Sequence, residues 1–125
     1  MKVLLVNGSP RAAGCTFTAL SEVAKTLEAA GIATEIFQLG AKPVQDCIAC
    51  MKCRELGKCV FDDAANLLIE KARESDGFVF GSPVYYAHPT GRIQSVLDRA
   101  FYAGKYAFIG KPGASIVSAR RGGTA

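Results

Sequence analysis

KVLLVNGSPRAAGCT, residues 2–16, is the stretch that decides the fold of this chain. It begins with a short, continuous apolar run, which is typical of a parallel strand buried on both faces. The run stops at Asn7 and Gly8, and from Thr16 onward the apolar residues have the spacing of one helix face. Those residues are Leu20, Val23, Ala24 and Leu27. The stretch therefore predicts a buried strand, a loop and a helix, in that order.

The loop between this strand and helix is rich in Gly, Ser, Pro and Arg. Such a loop directs backbone N–H groups and hydroxyls toward the helix N-terminus, where the helix dipole favours an anion. It is not a Walker A motif, because five residues separate Gly8 from Gly14 and Cys15 stands where the lysine belongs. It also lacks the G-x-G-x-x-G of dinucleotide sites. We interpret it as a site for one terminal phosphate, with an ordinary strand-to-helix turn as the alternative.

The composition indicates one compact domain over residues 1–125, with half of its residues apolar. The net charge of +4 is modest and no Lys/Arg run is interleaved with aromatic residues, so nucleic acid is not an expected partner. No signal-peptide cleavage site follows Met1, and no apolar run reaches membrane-spanning length. We expect a cytoplasmic protein without a membrane partner. Five cysteines, an odd count, favour metal or redox chemistry over a disulfide framework there.

Strands alternate with helices along the rest of the chain. Further strands are predicted at 33–39, in an exposed edge position, and at 77–81 and 114–118, with helices around 64–72 and from Arg92. Either Asp62 or Asp63 is expected to cap the former helix. The alternation implies right-handed crossovers and a doubly wound parallel α/β sheet. A long irregular insertion that is rich in cysteine occupies residues 40–60.

Three loops leave the carboxyl ends of predicted strands, at Ser9–Thr16, Ser82–Gly91 and Ser118–Gly123. Ligands of doubly wound sheets bind at this edge, so we expect the three loops to converge on one site. The middle loop offers Tyr85 and Tyr86 as surfaces for a flat ring, unless these tyrosines simply cover the core. The single histidine, His88, has two interpretations: an exposed residue beside Pro89, or a catalytic residue.

Four cysteines, at positions 47, 50, 53 and 59, occupy thirteen residues of the insertion. This spacing is similar to the compact runs that hold iron–sulfur clusters. A tetrathiolate zinc site and a set of thiols without metal remain alternatives. Cys15 lies apart from these cysteines and has no expected role as a metal ligand.

The three loops resemble, in order, the flavin-binding loops of the NADPH-dependent FMN reductases, a branch of the flavodoxin-like proteins. The similarity is carried by N-G-S-P-R through Thr16, by G-S-P-x-Y-x-x-x-P-x-G from Gly81, and by S-A-R-R-G-G from Ser118. It implies a three-layer α/β/α fold with the FMN phosphate on the first loop and the isoalloxazine ring on the other two. Cys15 stands where the family often has asparagine, so one phosphate contact is altered. The implied FMN contacts are Ser9, Arg11, Cys15, Thr16, Pro83, Val84, Tyr85, Tyr86, Ser118, Ala119 and Gly122.

The resembled fold has five parallel strands in the order 2-1-3-4-5, and only four are predicted here. We therefore expect a C-terminally truncated sequence that lacks the last strand and helix, or completion of the sheet by a partner chain. FMN sites of the family are often completed at a subunit interface, which implies a homo-oligomer.

The cysteine motif resembles that of the iron–sulfur flavoproteins of the same superfamily. There the four cysteines ligate a [4Fe–4S] cluster beside FMN, which implies the ligands Cys47, Cys50, Cys53 and Cys59. The implied function is an FMN-dependent NAD(P)H oxidoreductase in which FMN does the chemistry and no side chain is a catalytic acid or base. Reduced nicotinamide or ferredoxin is the implied donor, and a small molecule or a redox protein is the acceptor. The alternatives are a non-enzymatic flavodoxin-like electron carrier and a metal-stabilised binding module without flavin.

Overall fold

Four parallel strands form the central sheet of the computed structural model, which describes residues 1–125. The strands are β1 (Lys2–Asn7), β2 (Ala33–Gln38), β3 (Gly77–Pro83) and β4 (Gly113–Ser118). Their order across the sheet is β2-β1-β3-β4, and every neighbouring pair is parallel. The predicted doubly wound parallel sheet is confirmed, with β2 at an edge as expected.

Helices cover both faces of this sheet. They are α1 (Cys15–Ala29), α2 (Cys53–Leu56), α3 (Ala64–Arg73) and α4 (Gly91–Gly104), and a 3₁₀ turn (Lys105–Ala107) follows α4. The buried residues of α1 pack on one face of the sheet, and those of α3 and α4 pack on the other. The result is the expected three-layer α/β/α arrangement. None of the helices combines the length and the apolar character that a membrane span requires.

The central strand β1 is buried on both faces. Leu4 and Val6 belong to the larger core cluster, with α3 and α4, whereas Leu5 belongs to the cluster that includes α1. All three side chains are fully buried. A strand that must supply both cores cannot alternate apolar and polar residues, which explains the continuous apolar run at the start of the chain.

Apart from shifts of one residue at the ends of β2 and β4, element bounds differ from the sequence prediction in two places. β3 continues past Gly81 to Pro83, because Ser82 and Pro83 stay in register with Val117 and Ser118 of β4. The insertion, predicted to be wholly irregular, contains the single turn α2, which ends at Gly57 in the left-handed conformation (φ 67°).

Of the two candidate caps for α3, Asp63 is the N-cap. Its carboxylate accepts a hydrogen bond from the Ala65 N–H at 3.0 Å. The cap places Asp63 at the point where the cysteine-rich insertion joins α3.

Candidate functional site

The shape of the first loop is set by a buried amide at the end of β1. Asn7 is fully buried, and its Oδ1 accepts a hydrogen bond from the Ser9 N–H at 3.0 Å. Its Nδ2 donates to Gln38 Oε1 at 2.5 Å, and Gln38 Nε2 donates to the Ser9 carbonyl at 2.7 Å. Neither Asn7 nor Gln38 was expected from the sequence to belong to the site. An asparagine that interrupts a buried strand at its carboxyl end is the signal that could have found it.

Several free hydrogen-bond donors lie where this loop meets α1. Gly14, the N-cap residue, offers no side chain, so no cap occupies the first N–H groups of the helix, which begins at Cys15. Ser9 Oγ accepts from the Arg11 N–H at 3.2 Å and donates its own proton to no protein group. The Arg11 side chain is exposed and forms no ion pair. The loop thus presents uncommitted donors and one cation, as an anion site requires.

The predicted phosphate contact Thr16 connects the first loop to the third. Its side chain is buried, and its Oγ1 lies 2.9 Å from Ser118 Oγ at the end of β4. One hydroxyl proton is enough for this bond, so the other remains available to a ligand. Two residues predicted for opposite parts of the cofactor are therefore in direct contact.

Gly8 is where the first loop crosses the second. Its N–H donates to the Gly81 carbonyl at 2.8 Å, and its carbonyl accepts from Thr90 Oγ1 at 2.9 Å. A Cβ on Gly8 would lie 2.8 Å from the Gly81 oxygen and 2.9 Å from the Ile93 side chain, so only glycine fits there. Thr90 also caps α4 by accepting from the Ile93 N–H. Thr90 was missed from the sequence, although a threonine directly before a helix is a common N-cap.

The second loop carries a two-residue hairpin. The backbone N–H groups of Tyr85 and His88 donate to each other's carbonyls at 2.9 and 3.2 Å. Tyr86 (φ 48°) and Ala87 (φ 64°) between them are both left-handed, in positions where glycine and asparagine are usual. Tyr86 is 100% exposed and Tyr85 is 45% exposed. The alternative that these tyrosines cover the core is therefore wrong for Tyr86. His88 is exposed beside Pro89, as the first of its two interpretations predicts.

The third loop packs against the second. The Val84 N–H donates to the Ser118 carbonyl at 2.9 Å, which extends the contact between β3 and β4. Gly123 (φ 89°) lies close to Val84 and Ala87. Ala119 and Gly122, predicted to contact the ring, are exposed in this loop. The three loops meet at one edge of the sheet, as expected from the topology.

The four clustered cysteines line one cavity of about 230 Å³ between the insertion and α4, and all of them are free thiols. Ala49 (φ 52°) and Met51 (φ 59°), the two neighbours of Cys50, are left-handed although neither is glycine. Such backbone strain is concentrated at functional sites. No three of the thiols converge closely enough to hold a single metal ion.

A buried guanidinium holds the two ends of this insertion together. Arg99 on α4 is 1% exposed. Its Nε donates to Cys59 Sγ at 3.2 Å, and its two terminal nitrogens donate to the Gln45 carbonyl at 2.9 Å and the Phe61 carbonyl at 2.7 Å. Both terminal nitrogens also donate to the Asp63 carboxylate at 2.7 Å. Burial lowers the pKa of Arg99, but the contacts with Asp63 and Cys59 outweigh it and raise that pKa above its ordinary value.

Cys59 is fixed through its backbone as well. Its N–H donates to Asn66 Oδ1 at 2.9 Å, and its carbonyl accepts from Asn66 Nδ2 at 3.0 Å. Cys47 and Cys50, by contrast, take part in no hydrogen bond. Arg99 and Asn66 were not singled out from the sequence. The available signal was a charged residue three positions after Val96, on the apolar face of α4.

The chain is similar to a known protein family and to several curated proteins. The family model described as NADPH-dependent FMN reductase matches residues 1–125. An iron-sulfur flavoprotein of Methanocaldococcus jannaschii is 36% identical over 100 residues, which cover 80% of this chain and 52% of the relative. One from Archaeoglobus fulgidus is 34% identical over 118 residues, which cover 94% and 54%. The chain thus spans about half the length of these curated relatives.

Solved structures share the fold at low sequence identity. The NAD(P)H:quinone oxidoreductase from Methanothermobacter marburgensis superposes with a TM-score of 0.71 at 18% identity, covering 95% of this chain and 64% of that one. The flavoenzyme NAD(P)H:(acceptor) oxidoreductase FerB from Paracoccus denitrificans gives 0.66 at 21% identity, covering 93% and 59%. Because the family model matches residues 1–125 and the fold is flavodoxin-like, this chain belongs to the NADPH-dependent FMN reductase family.

Proposed function

We propose that the chain binds FMN where its three loops meet and acts as an FMN-dependent oxidoreductase with an iron–sulfur cluster in the cysteine insertion. The observation that carries this proposal is the hydrogen-bonded junction of the loops above the uncapped N-terminus of α1. The junction joins an anion site to an exposed aromatic hairpin, which is what a phosphate with a flat ring attached to it requires.

The proposed phosphate site uses the donors of the first loop. Ser9 supplies a hydroxyl, Arg11 supplies a cation without a competing carboxylate, and Cys15 begins the helix whose first N–H groups are uncapped. Thr16 and Ser118 share one hydrogen bond. If Ser118 donates in it, the Thr16 hydroxyl proton is available to the phosphate; if Thr16 donates, the Ser118 proton is available instead. This donor set fits a dianionic monoester, because the helix dipole and Arg11 both favour negative charge there.

The proposed ring site lies between the second and third loops. The chemistry supplied at this site by bound FMN would be acceptance of hydride from reduced nicotinamide and transfer of electrons singly or in pairs. The part of the chain is to orient the ring, and no side chain near the junction has the geometry of a committed acid or base. The residues proposed to surround the ring are Pro83, Val84, Tyr85, Tyr86, Ser118, Ala119 and Gly122.

We further propose that Cys47, Cys50, Cys53 and Cys59 hold a [4Fe–4S] cluster. Two relatives described above are iron-sulfur flavoproteins, which supports this proposal. The donor set supports it too, since four free thiols surround one cavity with mainly apolar walls. Four separated thiols suit a cube of irons better than one zinc ion, which needs its ligands close together. Such a cluster would relay single electrons.

The electron partner is proposed from the surface beside the insertion. A depression of about 750 Å³ runs from Cys53 to the end of α4, and its lining contains cations and aromatic rings but no acidic residue. This charge pattern favours an acidic redox protein such as a ferredoxin over a neutral small molecule. A homo-oligomeric state and a cytoplasmic location, where thiols stay reduced, complete the proposal. The lining cations and rings are Arg54, Arg73, Lys105, Phe101, Tyr102 and Tyr106.

Cofactor content is the first test. Protein purified without oxygen should show flavin absorption bands together with about four irons and four acid-labile sulfides per chain. Cys53→Ala should abolish the iron while retaining the flavin, and Cys15→Ala is the matched control that keeps the iron. Flavin without iron would leave a plain FMN reductase, and neither chromophore would contradict both parts of the proposal.

FMN binding is tested separately by fluorescence quenching of the flavin. Arg11→Ala should weaken FMN binding by about tenfold, the loss of one charge-assisted contact. Lys25→Ala, which removes an exposed cation further along α1, is the control and should leave the affinity unchanged. Turnover of NADPH with a soluble acceptor then distinguishes the oxidoreductase from a non-enzymatic electron carrier.

A further inference from the structure

One guanidinium closes the whole cysteine insertion. Gln45, whose carbonyl Arg99 binds, precedes the first clustered cysteine, and Phe61, whose carbonyl it also binds, follows the last. Between them lies the direct contact from Arg99 Nε to Cys59 Sγ. With the two bonds to Asp63, all five N–H donors of the guanidinium are used. A cation this fully committed and this deeply buried is a built element of the site rather than a solvated charge.

We propose that Arg99 is a positioning residue for the cluster: it sets the span of the cysteine insertion and stabilises the reduced cluster through its hydrogen bond to Cys59. This rests on the proposed [4Fe–4S] site. Reduction adds one electron, supplied by the flavin or by a ferredoxin-type donor, to a site that already carries four thiolates. A cationic N–H donor on one ligand sulfur favours the more negative state and so raises the reduction potential.

The proposal distinguishes Cys59 from the other three ligands. Its sulfur accepts from Arg99 and its backbone is held on both sides by Asn66, whereas Cys47 and Cys50 make no hydrogen bond. Asp63 fixes the plane of the guanidinium, so that Nε points at the sulfur. Lysine cannot replace this arrangement, because one ammonium group has three donors and cannot reach acceptors spread around a planar fork.

The first test uses protein without the cluster and asks whether Arg99 holds the two ends of the insertion together, a role called the clamp below. Lys52, Arg54 and Lys58 are exposed trypsin sites inside the span that Arg99 closes. In Arg99→Lys, cleavage at these sites should be about tenfold faster than in the parent chain, because local opening becomes easier. Cleavage at Lys25 on α1 should be unchanged. Equal rates at the insertion sites would overturn the clamp, as would equal acceleration at Lys25.

The effect on the cluster is tested by redox titration of the reconstituted protein, followed by electron paramagnetic resonance. Arg99→Lys should lower the potential by about 59 mV, a tenfold change in the one-electron equilibrium. Asp63→Asn retains the Nε–H donor and removes a nearby negative charge, so it should not lower the potential. Equal shifts in both variants, or none in Arg99→Lys, would overturn the role of the sulfur contact.

Two further measurements keep the proposal testable. If Arg99→Lys does not fold, the Fe–S stretching bands of the parent protein should shift in D₂O, and an absence of any shift would overturn the sulfur contact. If the parent chain takes up no iron at all, the proposed cluster fails, while the trypsin result still decides whether Arg99 clamps the insertion.

Discussion

The two candidate cofactor sites of this molecule are held in opposite ways. At the sheet edge, three loops are joined by many short bonds between backbone groups and small hydroxyls, with Gly8, Thr90 and Ser118 at the crossings. In the cysteine insertion, regular secondary structure is limited to α2, and side chains of the helices hold the segment: Arg99 and Asn66 at Gln45 and Cys59, and Arg92 at Ala41 and Lys42.

This difference indicates two ways to position a cofactor. A site built at the ends of buried strands inherits most of its geometry from the sheet, so it depends less on any single side chain. A site built in an insertion has no such support and depends on a few buried polar anchors. The sheet edge should therefore tolerate most single substitutions, whereas the insertion should fail when one anchor is removed.

The largest expected effect comes from removing the anchor of the insertion. Arg99→Met breaks a buried ion pair and leaves several acceptors without donors, which should lower the free energy of unfolding by about 3 kcal/mol. Urea denaturation measures this. Arg73→Met, at an exposed position near the end of α3 that forms no ion pair, is the control and should change stability by less than about 0.5 kcal/mol. If both variants lose the same stability, the insertion does not depend on its buried anchor.

The next largest effect is expected at the crossing of the first two loops. In Gly8→Ala, the new methyl group would lie 2.8 Å from the Gly81 oxygen. Relieving this overlap should cost about 2 kcal/mol of unfolding free energy and should weaken FMN binding, since the loops must separate. Gly113→Ala, where an added Cβ meets nothing within 4 Å, is the control. Unchanged FMN affinity in Gly8→Ala would show that the crossing does not shape the ligand site.

A smaller effect is expected when one of the hydroxyl contacts is removed. Thr90→Val keeps the shape of the side chain but loses the bond to the Gly8 carbonyl and the cap of α4. It should cost about 1 kcal/mol in thermal or urea unfolding. Thr26→Val, the same substitution at an exposed position of α1, is the control and should cost less stability. A cost for Thr90→Val close to that of Arg99→Met would erase the proposed contrast between the two sites.

The smallest effect is expected away from both sites. Hydrogen bonds from Lys2, and then from Lys71, lower the pKa of Glu35 on β2. The folded state therefore keeps this carboxylate charged at lower pH than the unfolded chain does, which adds stability above the ordinary pKa of 4.5. That contribution is lost as the pH falls below 4.5, and Glu35→Gln should remove this part of the acid dependence. The measurement is urea unfolding at pH 7 and pH 4, and FMN affinity at pH 7 should stay unchanged in the variant.

The sheet and the convergence of its loops were predictable because their signals are local. A continuous apolar run, the glycines that follow it and the helical spacing from Thr16 all lie within adjacent residues. Handedness and the burial of parallel strands then leave few arrangements for the rest of the chain. The extension of β3 to Pro83 was missed because it depends on pairing with β4, which sequence spacing does not encode.

The anchors of both sites were not predictable for the opposite reason. Asn7 forms a hydrogen bond with Gln38, which is 31 positions away in the sequence, and Arg99 forms one with Gln45, which is 54 positions away. Neither partner can be recognised until the fold brings the two together. Sequence pattern can mark a polar residue as out of place in a strand or on an apolar helix face, but the partner that satisfies it is a property of the packed structure.

The bond between Thr16 and Ser118 joins residues 102 positions apart, and this separation has a consequence for the order of folding. The first loop leaves the ribosome early, yet its contact with the end of β4 forms only after the crossovers to β3 and β4 are complete. Long-range closures of this kind are slow and come late. This contact therefore cannot form before β4 has been made, and a ligand that requires it would stabilise chains that include β4 while doing nothing for shorter nascent ones.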